Sequence, residues 1–215
     1  MSALGFPTAA LDFYDGLEEA NTRDYWLANK GTYDSAVKAP MIALTEALSA
    51  EFGPAKLFRP NRDIRFSADK SPYKTHQGAF AGTTPGIGYY VEISAAGLAA
   101  GGGFHSPSTE QTAALRRAID APESGQRLVT IVAALRDSGY DVFGESVKTT
   151  PRGYAADHPR IDLLRHKELL ALSRSGSPDW ITDERVLPAV QSLWRDLTPL
   201  IDWLVEHIPP APPRR

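Results

Sequence analysis

The chain has 215 residues, 42% of them hydrophobic and 23% charged, the balance of a globular protein able to bury its own core rather than of a disordered one. It contains no cysteine, which excludes disulfides, thiolate metal sites and a cysteine nucleophile together. No apolar run approaches the ~20 residues of a membrane span, and Met1-Ser2-Ala3-Leu4-Gly5-Phe6-Pro7 has neither the basic region nor the apolar core of a signal peptide, so a cytoplasmic protein without membrane association is expected.

Thr8 is placed to cap a first helix whose apolar face is Leu11, Tyr14 and Leu17, with acids in its first half as the helix dipole favours. Thr22 is placed to cap a second helix carrying Tyr25, Trp26 and Tyr33. Pro40 fits the first turn of a third, with Ile42, Leu44, Ala47 and Leu48 inside and Gly53-Pro54 as the stop. The pattern then changes. Leu57-Phe58-Arg59 and Ile64-Arg65-Phe66 read as short β-type pieces around Pro60-Asn61, and 67–75 has turn composition. Gly88-Tyr89-Tyr90-Val91-Glu92-Ile93 alternates and is aromatic and β-branched, the clearest strand in the chain. Ala95-Ala96-Gly97 turns it, and 98–104 is its expected hairpin partner, weakened by three glycines.

Helices are expected over 107–119, capped by Ser106, and over 124–135. A strand pair bent at Gly144 is expected over 141–149. Asp157-His158-Pro159 opens a helix holding Ile161, Leu163 and Leu164. A C-terminal helical stretch over 182–207 is expected to be interrupted at Pro188 and Pro199. Helices first, strands in the middle and helices after predict an α+β fold, an antiparallel sheet flanked by N-terminal and C-terminal helices. One domain over 5–207 is expected, followed by a disordered Pro-rich tail over 208–215.

Charge is segregated. The chain carries −3 overall, yet from Lys56 to His76 there are six basic and two acidic residues, a local +4, and 148–174 carries +3. A basic island in an acidic protein points to an anionic ligand. If 62–66 is extended, Asp63 and Arg65 share a face and the carboxylate can orient the guanidinium, whose planar fork suits phosphate or carboxylate. Arg62, Arg65, Lys70 and Lys74 are therefore the candidate ligand contacts, with Asp63 and Asp69 orienting them. Arg152, in Lys148-Thr149-Thr150-Pro151-Arg152-Gly153-Tyr154, is the residue expected beside that island from the second basic stretch. The competing reading is an internal salt-bridge network that fixes an irregular loop.

Other constellations are weaker. Ser67 and Lys70 have the spacing of some serine–lysine acyl-transfer enzymes, but Pro72 argues against the helix that spacing needs. Gly101-Gly102-Gly103 before a helix suggests either anion contact by free backbone N–H groups or close backbone packing. None of His76, His105, His158, His166 and His207 has a metal-binding spacing with another. A non-sequential site of His76, His105 and His158 with Asp63, Asp69 or Asp157 is the metal-binding alternative, and no metal or cofactor is assigned. His105, beside the glycines, and Asp63 are the candidate catalytic bases. His158 reads as a capping or packing residue.

The motifs together resemble a family of uncharacterised bacterial and fungal proteins known only as a domain of unknown function. The likeness is carried by Asn21-Thr22-Arg23-Asp24-Tyr25-Trp26 with Lys30 and Tyr33, then by Arg62-Asp63-x-Arg65-Phe66-Ser67-x-Asp69-Lys70-x-Pro72-Tyr73-Lys74. Gly88-Tyr89-Tyr90, the triple glycine and Pro151-Arg152-Gly153-Tyr154 through Asp157-His158-Pro159, with Leu163-Leu164 and Lys167, complete it. It covers roughly residues 5–205. The resemblance implies one full-length domain with the motif residues as its site; it implies no chemistry. The expected function is binding of a phosphorylated or nucleotide-like small molecule in a basic cleft. A hydrolase of unknown substrate and a structural or protein-interaction module are the alternatives. Double-stranded nucleic acid is not expected, since the net charge is negative and no extended basic stripe is present. The sequence leaves oligomeric state and enzymatic activity open.

Overall fold

A computed structural model describes residues 4–65, 68–105 and 107–210. Seven α-helices and six strands follow in the order α1 (Thr8–Glu19), α2 (Arg23–Thr32), α3 (Ala39–Phe52), β1 (Ala55–Leu57), β2 (His76–Thr84), β3 (Ile87–Ser94), β4 (Gly97–Phe104), α4 (Thr109–Asp120), α5 (Pro122–Asp137), β5 (Asp141–Phe143), α6 (Ile161–Leu164), β6 (Leu169–Gly176) and α7 (Val186–His207) among the described residues. The strands form one antiparallel sheet in the order β1-β2-β3-β4-β6-β5. The fold is α+β, with helices at both ends of the chain.

By internal packing the chain divides into two compact units. One is Met1–Ala81, Tyr90–Ala100 and Arg174–Ser192; the other is Gly82–Tyr89, Gly101–Ser173 and Leu193–Arg215.

In the first unit, Thr8 is the opening residue of α1 and makes no side-chain cap; Pro7 holds the N-cap position. Thr22 does cap α2, accepting from the Tyr25 N–H at 3.2 Å. The second and third helices are one continuous rod, joined by a π-helical segment, Tyr33–Lys38. Pro40 cannot donate back along the helix, and the widened turn just before it accommodates the missing bond. The α3 stripe is Met41, Leu44, Leu48 and Phe52; Ile42 and Ala47, expected inside, face out. Gly53 ends the helix at φ +84°, a backbone state in which glycine carries no Cβ penalty. An aromatic cluster fills the space beneath: Phe13 lies 5.8 Å from Trp26, and Trp26 lies 4.7 Å from Tyr33 between ring centroids. β1 pairs with β2 in the register Ala55↔Ala81, Lys56↔Phe80, Leu57↔Ala79.

In the second unit, α4 starts at Thr109 and is capped by Ser108. The Ser108 side chain accepts from the Gln111 N–H, and the Gln111 side chain returns the bond to the Ser108 N–H. Ser106, the expected cap, lies outside the described residues. Trp194 and Trp203 are fully buried; the Trp203 Nε1–H donates to the Ser124 carbonyl at 2.9 Å. β5 pairs with β6 through Val142↔Ala171. Only Asp141–Phe143 of the expected 141–149 strand pair is strand, with Ser146 bridging His166 beyond it.

Two further parts of the chain differ from the expectation. The C-terminal helix is not interrupted: Pro188 falls in the first turn of α7, where no N–H partner exists, and α7 continues through Pro199. Leu169–Gly176, for which the sequence suggested no element, is β6. The triple glycine lies inside β4, every residue of which is buried. A Cβ on Gly102 would sit 2.8 Å from the Gly88 carbonyl oxygen, and one on Gly103 2.2 Å from that of Leu169. Neighbouring backbone fills the space, as the close-packing reading holds.

Candidate functional site

The motif that stands out in the sequence is a loop of the first unit. Its base is closed by an antiparallel bridge between Asn61 and Tyr73. The Arg62 N–H donates to the Pro72 carbonyl at 2.9 Å, and the Lys74 N–H to the Pro60 carbonyl at 2.8 Å. These bonds bring the first and last cations of the motif together. Residues 62–65 are not strand, so the face-sharing of Asp63 and Arg65 does not arise from a pleat.

Two residues of the earlier aromatic motif hold the base in place. The Asn21 Nδ2 donates to the Tyr73 carbonyl at 3.0 Å, and the Asn21 Oδ1 accepts from the Tyr73 N–H at 3.1 Å. The side-chain amide thus pairs with Tyr73 as a neighbouring strand would. The Tyr73 ring stacks on Trp26 at 4.3 Å and 10° between planes. The two motifs are distant in sequence and adjacent in space.

Within the loop each carboxylate holds a guanidinium. Asp63 accepts from the Arg65 Nε at 2.9 Å and Nη2 at 2.6 Å, a fork-on-fork contact. Asp69 accepts from the Arg62 guanidinium, and from the Ser71 hydroxyl at 2.6 Å and N–H at 2.9 Å. The Arg65 contact depresses the Asp63 pKa. The Ser71 bonds, then Arg62, hold Asp69 at about 2. The Lys70 Nζ donates to the Ile64 carbonyl at 3.0 Å. These pairs are solvent-exposed, a setting in which ion pairs add little stability; their effect is to fix orientation. Phe66 and Ser67, and with Ser67 the serine–lysine spacing, lie outside the described residues.

Arg62, Asp63, Lys74, Thr75 and His76 line a cavity of about 410 Å3. Lys74 has no carboxylate partner among the described residues. Its ammonium lies 5.1 Å over the Phe58 ring. Burial, then the Arg59 charge, lowers its pKa. His76 is half-buried, and burial pushes its pKa down; Glu92 opposes that shift, while Lys74 and Arg62 add to it. The His76 Nε2 is 3.8 Å from the Glu92 carboxylate, which accepts from the Tyr90 hydroxyl at 2.5 Å. Burial raises the Tyr90 pKa far above its usual range, so it stays a donor.

Of the candidates, Arg62, Asp63 and Lys74 share this cavity. Arg65 and Lys70 are exposed elsewhere on the loop, and Arg152 is an exposed residue of the second unit. His76 and Glu92 were not singled out as a pair by sequence. The available signal was Glu92 itself, the lone acid of a strand whose alternation puts Tyr90, Glu92 and Ser94 on the less buried face.

The second unit positions His105 beside Glu168, with Nδ1 3.1 Å from the carboxylate. Glu168 also lines a cavity of about 530 Å3 with Arg116, Glu145 and Lys167. His158 accepts from the Arg160 N–H at 3.0 Å. The Arg160 guanidinium donates to the Ile119 and Asp120 carbonyls at 2.7 Å each, satisfying the C-terminal end of α4. The Asp157-His158-Pro159 segment is thus tied to helix capping. No group of three or more His, Asp or Glu among the described residues could hold a metal ion, and no helix among them is long and apolar enough to cross a membrane.

No curated protein and no solved structure gives a significant match to the chain. A family model described as "Conserved hypothetical protein (DUF2461)" matches residues 9–203, so the chain belongs to this family of conserved hypothetical proteins.

Proposed function

We propose that the protein binds a small anion, a phosphorylated or nucleotide-like molecule, in the cavity bounded by Arg62, Asp63, Lys74, Thr75 and His76, where the one lining carboxylate, Asp63, is already paired with Arg65. The observation that carries the reading is Lys74. It is a partly desolvated ammonium that faces a cavity with no carboxylate partner among the described residues. An anion placed there offsets a charge that burial disfavours. Arg62, oriented by Asp69, supplies a second contact, and Thr75 a hydroxyl. Arg65, held by Asp63, and Lys70 raise the local potential from the loop without reaching the cavity wall. Arg152 is not used.

The test is calorimetric titration of inorganic phosphate, glucose 6-phosphate and AMP into the full chain at low salt. One of these saturates a single site, and Lys74→Ala weakens that ligand at least about tenfold, or about 1.4 kcal/mol, while the melting temperature holds. Failure of all three to bind, with Lys74→Ala and Arg62→Ala changing stability alone, would leave the loop as a structural clasp. The paired Asp63–Arg65 and Asp69–Arg62 contacts favour that second reading.

A hydrolase centred on His105 is favoured by one separate observation, its contact with Glu168. A carboxylate at Nδ1 would leave Nε2 as the proton acceptor. Loss of a measured hydrolytic activity in His105→Gln, with phosphate binding intact, would select it.

A further inference from the structure

We propose that a second cavity in the first unit binds a small amphipathic anion, an apolar body bearing one carboxylate. The cavity encloses about 430 Å3, within the size range of small-molecule sites. It shares no lining residue with the cavity of Arg62 and Lys74.

Its chemistry is unbalanced in one direction. Leu57, Phe58 and Pro60 give an apolar wall, and the charged lining is Lys30, Asp34, Lys38 and Arg59. Asp34 is the sole acid in the lining, and Lys30 already pairs with it. Lys38 and Arg59 have no carboxylate partner among the described residues. An incoming carboxylate therefore meets two uncompensated cations from different elements, one at the end of the π-helical segment and one on the chain leaving β1.

The polar floor cannot compete for the ligand. Gln77 is 1% exposed. Its Oε1 accepts from the Tyr33 hydroxyl at 2.6 Å, and its Nε2 donates to the Phe58 and Gly78 carbonyls at 2.9 and 2.8 Å. Both amide hydrogens are used, so Gln77 adds nothing to recognition by the cations, Asn61 and the apolar wall.

The π-helical segment supports the assignment independently. In an α-helix, residues five apart point about 140° away from each other. The wider π turn brings Tyr33 and Lys38 back toward one face, and both line the cavity. Single π turns inside α-helices occur frequently at functional sites.

The experiment is calorimetric titration of benzoate into the full chain in low-salt buffer, with acetate as the control lacking the apolar body. Benzoate is expected to saturate one site and acetate to bind at least about tenfold more weakly. The double variant Lys38→Ala/Arg59→Ala should lower benzoate affinity at least about tenfold. Lys38 and Arg59 are both exposed, so the melting temperature should hold. Lys74→Ala should leave benzoate affinity within about twofold. Absence of saturation, equal affinity for acetate, or an affinity indifferent to the double variant overturns the proposal. So does a loss confined to Lys74→Ala, which would place the ligand in the other cavity. Phosphate binding lost in Lys74→Ala with no benzoate site would remove this inference and leave the first reading standing.

Discussion

Replacing Asn21 with Ala tests whether the two motifs are held together by one side chain. The substitution removes two hydrogen bonds and leaves the Tyr73 N–H and carbonyl without their partners. Tyr73 is 7% exposed and its ring is pinned on Trp26, so water replaces those bonds poorly. A neutral hydrogen bond contributes about 1 kcal/mol net, and a buried group left unpaired costs about 1–3 kcal/mol. The expected loss is about 2–3 kcal/mol. For a chain of this length that lowers the melting temperature by roughly 4–12 °C. Urea unfolding followed by tryptophan fluorescence gives the free energy, and calorimetry the midpoint.

Asn21→Asp separates bonding from packing. It keeps the acceptor for the Tyr73 N–H but sets a carboxylate against the Tyr73 carbonyl. It should be at least as destabilised as the alanine variant at neutral pH and recover as acid protonates it. A change below about 0.5 kcal/mol in Asn21→Ala, the size of an ordinary surface substitution, would refute the clasp.

Gly103→Ala should fold poorly or not at all, because φ is +139° and the added Cβ meets the Leu169 carbonyl at 2.2 Å; near-native stability by urea unfolding would contradict the packing assigned to β4. Ser108→Ala should cost about 1 kcal/mol through loss of the capping box, read by the same unfolding curve. His76 makes a signed pH prediction. Its folded pKa lies below the unfolded value of about 6.5, so the unfolded chain binds more protons in that window. The His76 contribution to stability is fully present above about pH 6.5 and is lost as pH falls toward the folded pKa; His76→Gln should remove that slope. A bound anion offsets Lys74 and Arg62 and favours the imidazolium, so binding of sulfate, an anion that does not itself titrate in this window, should take up protons and strengthen as pH falls toward 6. Equal binding enthalpies in buffers of different ionisation heat would contradict this.

The α+β order of helices, strands and helices was readable because Tyr89 to Ile93 alternates cleanly and Thr22 and Gly53 carry their own capping chemistry. The reading failed for local and for tertiary reasons. Ser106 and Ser108 both precede the α4 region, and only the reciprocal bond with Gln111 selects Ser108. Ile42 and Met41 are neighbours on a helix, and packing buries Met41 and leaves Ile42 exposed. Leu169–Gly176 lacks the aromatic and β-branched run of β3, and its strand character comes from pairing with β5 and from the close approach the glycines of β4 permit. At the site, the ionic residues were visible as a composition anomaly. The Asn61–Tyr73 bridge that joins Arg62 to Lys74 and the placement of His76 beside Glu92 were not. Both depend on contacts across chain separations that periodicity does not encode.

The measurement that tests the central claim most directly is an amide chemical-shift titration of the 15N-labelled full chain with inorganic phosphate. The account predicts saturable shifts centred on Arg62, Lys74, Thr75 and His76, abolished in Lys74→Ala. Shifts confined to other residues, or none at saturating phosphate, would contradict it.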